Sequence, residues 1–456
     1  MKSTEESIAL AKLIAADVKN AGGCAYYVGG FVRDRIMGES ADSADIDIEV
    51  HGLYPDKLCE IIDRHAKRVT VGESFGIYSV YDSQIDVAMP RTERATGRGH
   101  RDFETFVDPF IGTEAAASRR DFTVNAIMEN VLTGEITDHF GGCADIEHKI
   151  LRHVNDASFP EDPLRVLRGA QFAARFGFAV APETALLMKN IPLDTLSCER
   201  IDGELRKALL RSEKPSVFFG VLRDTDQLGY WFPEVQALIG VMQDPLFHKE
   251  GDVWTHTMMV LDEAAKRRSK ASDPYAFMLS ALCHDFGKPA TTEYINGRIH
   301  SYGHEFKGVG VAAEFLRRLT NDKKITKYVL NMVQYHMKPN TMAAHGSAVK
   351  ATNRMFDESA DPEGLIQLAV ADSLGMTFDR KYYPSEDFLE ERLDIYRETM
   401  AKPYVTGQDL IAAGLVPGET FREVLEYSHK LRLAGIEKES ALKQSVAFAD
   451  KLKKNK

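Results

Sequence analysis

No run in this 456-residue sequence approaches the ~20 consecutive apolar residues that a membrane-spanning helix needs, so no membrane span is expected. Cysteine is scarce and unpatterned. Cys24, Cys59, Cys143, Cys198 and Cys283 are scattered, odd in number and without a CxxC spacing. That argues against a disulfide framework and fits reduced thiols in the cytoplasm. The N-terminal MKSTEESIALAKLIAADVKN lacks the charged–apolar–small order of a signal peptide. It reads as an amphipathic helix with Ser3 and Glu6 as its capping box. Low-complexity tracts and fixed-period repeats are missing too. So is a positive net charge: the formal value is −11. Alone, this argues against a nucleic-acid partner, although a local basic groove remains compatible with it. The basic runs AAKRRSK (264–270) and KLKKNK, at the C-terminal end, read as solvated faces.

The chain is too long for one ordinary core, and its 44% hydrophobic and 27% charged residues are those of a globular protein. Over 1–150, the runs CAYYV (24–28), DIDIEV (45–50), GIYSVY (76–81) and QIDVAMP (84–90) are rich in β-branched and aromatic residues and predict strands. Helices are expected at 31–38, 55–65 and 120–129. This mixture is an α/β or α+β domain. Residues 91–118 lack periodicity and read as a long loop of the kind that is usually functional or mobile. From about 160 the apolar residues recur at three and four, as in EDPLRVLRGAQFAARF, so the rest is helical and no strand is expected after about 155. Two or three short helices are expected around Pro417-Gly418.

In DIDIEV, Asp45, Asp47 and Glu49 share one strand face and Ile46, Ile48 and Val50 the other. Read alone, this is a half-buried strand with an acidic solvent face. Upstream, Gly29-Gly30 follows a strand and opens a helix, so backbone N–H groups there could approach a phosphate. Arg33 adds a cation one turn on. Carboxylates at i and i+2 on a strand suit Mg²⁺, a hard cation that prefers oxygen. Two such ions can bind a triphosphate and activate a hydroxyl for in-line attack.

VGGFVRD, DIDIEV, SRRDFTVNAI (118–127), EDPLRVLRGAQFAARFGF (161–178) and ERIDGELRKAL (199–209) occur in that order. Together they resemble the bacterial class of tRNA nucleotidyltransferases, the CCA-adding enzymes and their poly(A) polymerase relatives, over about 25–210. The resemblance implies an α+β fold. A nucleotidyltransferase-type mixed-sheet head (1–150) is followed by a helical nucleotide-selecting neck (151–240). An HD-like metal-binding helical domain (241–385) and a helical tRNA-binding tail (386–456) complete it. It implies Asp45 and Asp47 as catalytic ligands of Mg²⁺, with Asp86 a candidate third carboxylate. Gly30 and Arg33 would contact the triphosphate, Arg120 would contact the nucleotide, and Asn125 would fix the ribose on a helix TVNAIMEN.

By the same resemblance Asp162 and Arg165 choose the base, and Arg168 supports a phosphate or the base. The chemistry is consistent. Cytosine and adenine each present an amine donor beside a ring-nitrogen acceptor, which a carboxylate and a guanidinium match. Guanine and uracil place a carbonyl where that amine would be, so they would meet the carboxylate acceptor to acceptor. Many relatives carry a further arginine where this chain has Gln171, and that role is not carried over. The segment 91–118 matches in position a loop used in switching to ATP, which favours addition of the final A.

HKEGDVWTHTMMVLD (248–262), ALCHDFGKPA (281–290), QYHMK (334–338) and AVADS (369–373) come next. His256, His284, Asp285 and Asp372 resemble the HD phosphohydrolase pattern, with His304 and His336 as further candidates. Imidazole with carboxylate suits a second divalent metal that activates water against a phosphate ester. The resemblance leaves open whether this site turns over a substrate. The expected function is template-independent addition or repair of the 3′-terminal CCA of tRNA from CTP and ATP. The partners are the tRNA 3′ end and the two nucleotides, with no membrane and an open oligomeric state. A-only addition or poly(A) synthesis stands within the same family. An HD phosphohydrolase with a regulatory nucleotide-binding domain stands outside it.

Overall fold

The structure, a computed structural model, describes residues 2–39, 45–70, 76–95, 103–376 and 384–454. The chain forms two compact units, Met1–Ser212 with Val217–Trp231, and Glu213–Ser216 with Phe232–Lys456.

The first unit begins with α1 (Thr4–Asn20), whose Ser3 and Glu6 make the reciprocal capping box. Next come β1 (Cys24–Val28), α2 (Gly30–Ile36), β2 (Ile46–His51), α3 (Pro55–His65), β3 (Arg68–Thr70), β4 (Ile77–Val80) and β5 (Ile85–Ala88). A two-stranded hairpin, β6 (Arg91–Ala95) and β7 (Phe103–Val107), precedes α4 (Thr113–Ala117), β8 (Met128–Asn130), β9 (Ile136–Thr137), α5 (Gly142–His148) and β10 (Ile150–Leu151). The main sheet has seven strands in the order β3-β4-β5-β2-β1-β8-β9. Alternation decides which side is buried: Ile46, Ile48 and Val50 of β2 pack with Leu10, Ile14 and Val18 of α1 and Ile61 and Ile62 of α3. The opposite side of β2 carries Asp47, which is exposed, and Glu49 and His51, which are buried. Beyond the sheet lie α6 (Leu164–Phe176), β11 (Ala179–Val180), α7 (Pro182–Lys189) and α8 (Cys198–Arg211).

Three expectations change. Residues 91–118 are not one loop, because β6 and β7 pair from Arg91 opposite Val107 to Ala95 opposite Phe103; positions 96–102 of that segment lie outside the described residues. The helix expected at 120–129 is a 3₁₀ turn, Thr123–Asn125, followed by β8. The free edge of β1 takes up this segment, pairing Val28 with Met128, and Ile127 and Met128 are buried. A strand buried on both sides shows no alternation, so periodicity misread it. Short strands also occur after 155: β11, and a hairpin Glu293–Ile295 with Arg298–His300. Its Asn296-Gly297 turn has positive φ at both residues, the backbone that an Asn-Gly hairpin favours.

Among the described residues of the second unit, helices Val253–Ala265, Pro274–Cys283 and Pro362–Leu374 are largely buried and apolar, Lys323–Tyr335 buries one apolar face, and a smaller cluster gathers Leu410, Val424, Ala441 and Ala449 toward the C-terminal end. The five cysteines are free thiols. No helix among the described residues is long and apolar enough to cross a membrane.

Candidate active sites

In the first unit, β2 runs parallel to β5 with Asp47 directly opposite Asp86, so two carboxylates share one side of the sheet. Asp47 keeps contact with solvent but is hemmed in by protein. Burial pushes its carboxyl up to about 6; Arg120 pulls it down, while Asp86 and Asp45 push it further up. Three neighbouring carboxylates, two of which raise the third, fit a cation, and an all-oxygen donor set fits a hard one. Glu49, two residues on, is buried rather than part of a solvent face. Its Oε1 lies 2.9 Å from His51 Nε2, and Arg120 Nη2 donates to its Oε2 at 3.3 Å. Burial would raise Glu49, but the hydrogen bond from His51 and the charge of Arg120 outweigh it and hold the carboxyl low.

Gly29 turns the chain between β1 and α2 at φ 68°. A Cβ there would stand 3.4 Å from Arg120 Nη1 and 3.5 Å from Asp47 Oδ2, so the missing side chain leaves that corner open. Arg33 folds back beside Gly30 but is only 4% exposed. It donates to Asn125 Oδ1 at 2.6 Å and to Asp34 Oδ1 at 2.8 Å, and lies over the Phe176 ring at 4.4 Å. Asn125 in turn donates to Asp121 Oδ1 at 3.0 Å and is buried, so it braces Arg33 rather than facing solvent.

Arg168 joins the same buried chain through Asp121 Oδ2, with Nε at 2.7 Å and Nη2 at 2.6 Å. Asp162 accepts from Leu164 N at the start of α6 and from Arg200 Nη2, which spans both its oxygens at 3.0 and 2.9 Å. Arg165 is held by main chain, donating to Ser158 O at 2.8 Å and Arg119 O at 2.7 Å. Gln171 is buried, and its Nε2 has no hydrogen-bond partner. A cavity of about 430 Å³ brings motifs far apart in sequence together: Glu49, Arg119 and Arg120 line it with Asp162, Arg165 and Arg200.

In the second unit, His256, His284, Asp285, His304, His336 and Asp372 are all buried. Among the described residues three groups have their ligand atoms within 4.8 Å of one another: His248 with Glu250 and His256, His256 with His284 and Asp372, and Asp285 with His304 and His336. Hydrogen bonding sets the tautomers. His284, His304 and His336 each place Nδ1 2.7–2.8 Å from a carbonyl, of Ala281, Ser301 and Val333. A carbonyl only accepts, so Nδ1 carries the hydrogen and, in the neutral ring, Nε2 presents a lone pair. His304 Nε2 and His336 Nε2 face each other at 3.2 Å, and His304 Nε2 lies 3.4 Å from Asp285 Oδ1. Lone pairs at that separation repel unless a positive charge stands among them.

The rest of the cluster behaves alike. His284 Nε2 is buried without a hydrogen-bond partner, 3.2 Å from Asp285 Oδ2. That oxygen has Lys288 Nζ at 2.7 Å as a counter-charge, outside hydrogen-bonding geometry. His256 lies between Glu250 Oε1 (3.1 Å) and Asp372 Oδ1 (3.0 Å). Burial would strip its proton, but hydrogen bonds to Asp372 and Glu250 raise it to about 9, so a proton stands where a cation would. His336 goes the other way, to about 3, through burial and its neighbours His284 and His304. Neutral imidazoles with carboxylates fit a borderline transition metal. The cavity above the cluster, of about 320 Å³, is lined by Lys288, Arg298, His300 and Tyr302 as well as ligand residues.

Reading by residue singled out His256 and Asp162 but passed over Glu250, Lys288, Arg200 and Asp121. Each lies inside a quoted motif, yet its partner is remote in sequence or its role depends on burial.

Residues 25–152 match the family described as the poly A polymerase head domain, and residues 253–377 the HD domain. The multifunctional CCA protein of Chromobacterium violaceum is 38% identical over 378 residues, 81% of this chain and 89% of that protein. That of Nitrosospira multiformis is 36% identical over 391 residues, covering 82% and 89%. In solved structures, the fold is shared with the Thermotoga maritima CCA-adding enzyme complexed with tRNA (TM-score 0.64, 19% identity, 98% of this chain and 99% of that one). It is shared too with the Bacillus stearothermophilus CCA-adding enzyme in complex with CTP (TM-score 0.65, 22% identity, 100% of each chain).

Proposed function

This chain belongs to the multifunctional CCA protein family, and on that premise we propose that it builds or repairs the 3′-terminal CCA of tRNA from CTP and ATP, without a template, in the cytoplasm. The observation that carries the reading is the single cavity walled by Arg120 together with Asp162 and Arg165. It gives a triphosphate and a base one common site. Asp45 and Asp47, with Asp86 opposite, would hold Mg²⁺, which supplies charge neutralisation on the triphosphate and a more acidic primer hydroxyl. Arg120, which donates to Glu49 and lowers the Asp47 carboxyl by its charge, would meet the triphosphate. Gly29 and Gly30 leave room for its oxygens. Arg33, braced by Asn125 and Asp34, adds positive charge behind them.

Asp162 accepts from the exocyclic amine of cytosine or adenine, and Arg165 donates to the ring nitrogen. Arg168 is held by Asp121; it ties α6 to that carboxylate and so sets where Asp162 and Arg165 stand. The four segments 1–150, 151–240, 241–385 and 386–456 serve as head, neck, HD domain and tRNA-gripping tail.

A second activity has its own observation, the set of imidazole lone pairs and carboxylates converging in the HD domain. His256, His284, Asp285 and Asp372 would hold a divalent transition metal, with His304 and His336 beside them, and such a metal supplies an activated water against a phosphate ester. Lys288, beside Asp285 and in the cavity wall, offers a positive charge to the ester.

The deciding experiment supplies tRNAs ending before CCA, after C and after CC, with CTP and ATP. Extension of all three to CCA is expected. Extension of the last alone marks an A-adding enzyme, and runs of A mark a poly(A) polymerase. No extension of any defeats the reading.

A further inference from the structure

Arg200 has no place in the reaction as described, yet its surroundings are unusual. It lies in the first turn of α8, where the helix dipole disfavours a cation. Its Nη2 spans both oxygens of Asp162, its Nη1 is buried without a hydrogen-bond partner, and its side chain lines the same cavity as Asp162 and Arg165.

We infer that Arg200 is a positioning residue for base selection: it holds the Asp162 carboxylate in one plane, so that a carbonyl on the incoming base cannot be accommodated. This rests on the CCA-adding reading of the site. Accepting an amine requires only an oxygen in reach. Rejecting uracil or guanine requires more, because a carboxylate free to turn about Cβ–Cγ would swing away from the carbonyl and relieve the acceptor–acceptor repulsion. Specificity of that kind depends on a group that cannot yield. Asp162 Oδ1 has a second donor in Leu164 N, whereas Arg200 is the donor found on Oδ2. Arg165 needs no such help, since two main-chain carbonyls fix its fork. Both halves of the base reader are thus set before a nucleotide arrives, one by main chain and one by Arg200.

The test compares the full-length protein with Arg200→Gln, Arg200→Met and Arg200→Lys. CTP, ATP, UTP and GTP are offered separately on a tRNA lacking CCA, and thermal melts identify folded variants. In Arg200→Gln and Arg200→Met the incorporation of UTP or GTP relative to CTP should rise by about tenfold, the worth of one charge-assisted hydrogen bond. KM for CTP should rise more than kcat falls. Inhibition by inorganic pyrophosphate, which reads the phosphate side, should stay put. Lysine, which keeps the charge but can hold one oxygen, should recover part of the selectivity.

Wild-type selectivity in a folded Gln or Met variant overturns the inference. So does a loss that lysine leaves unrescued and that pyrophosphate inhibition shares, since that marks general distortion. Should neutral variants not fold, lysine decides, with selectivity below wild type expected and an unchanged value overturning it. Wild-type protein that incorporates neither CTP nor ATP overturns the CCA-adding reading itself, and this inference with it.

Discussion

Arg168 closes on Asp121 with two nitrogens on one oxygen, Nε at 2.7 Å and Nη2 at 2.6 Å, while the other oxygen accepts from Asn125 and from Phe122 N. Burial would raise the Asp121 carboxyl, but the charge of Arg168 and these hydrogen bonds outweigh it and hold it below 3.8. A carboxyl depressed by folding contributes stability that is present above pH 3.8 and lost as pH falls through the folded value. Urea unfolding should therefore show a loss below about pH 4 that Asp121→Asn lacks. At neutral pH, Arg168→Ala should cost about 3 kcal/mol by stranding a buried charge. Adding Asp121→Asn should return part of it. Simple additivity of the two changes would contradict the pairing.

The proposed Mg²⁺ at the head is open to a pH experiment. Without a cation, Asp47 titrates at about 6, above 3.8 for the unfolded chain. A raised carboxyl stabilises the fold at low pH, and that contribution disappears as pH rises through the folded value. Mg²⁺ competes with the same proton. The rise in melting temperature on adding Mg²⁺ should thus be small at pH 5, large at pH 7.5 and absent in Asp47→Ala. An equal rise at both pH values would argue against Asp47 as a ligand. The same variant should lose nucleotide addition and keep any phosphatase activity.

Arg165→Ala should relax discrimination against UTP or GTP by roughly ten- to hundredfold, from the ~1.5–3 kcal/mol of a hydrogen bond to a charged group. Misincorporation on tRNA ending in CC measures it. Unchanged selectivity would move the ring-nitrogen contact to another residue.

His284→Ala should leave nucleotide addition near the wild-type rate while reducing the transition metal that copurifies or titrates into the protein. Elemental analysis with the tRNA assay separates the two. Full metal content in the variant would remove His284 from the ligand set.

The parts legible in the sequence were those whose signal is local. The alternation of Ile46, Ile48 and Val50 gave β2 its inner side, and the Gly29 turn needed only a residue tolerant of positive φ. Residues 120–129 misled because β8 exists only where β1 offers it an edge. The Asn296-Gly297 hairpin carried a local signal that went unread. Arg33, Glu49 and Arg200 could not be fully placed by pattern, since each also bonds a partner 92, 71 or 38 positions away.

The histidines of the HD cluster also finish helices. His284 follows Pro274–Cys283 and His336 follows Lys323–Tyr335, and each returns its Nδ1 hydrogen to a carbonyl three residues back that the helix leaves over. Proposed ligand and helix stop are one side chain. Replacing either histidine therefore loosens a helix end as it removes a proposed coordination position, and the two effects arrive together in any melt. Asp372, inside Pro362–Leu374, caps nothing. Like His256 inside Val253–Ala265, it is a proposed ligand at which a metal would be withdrawn while the helix ends stay tied, and a protein made to lose the proposed HD activity and keep its shape would be altered there.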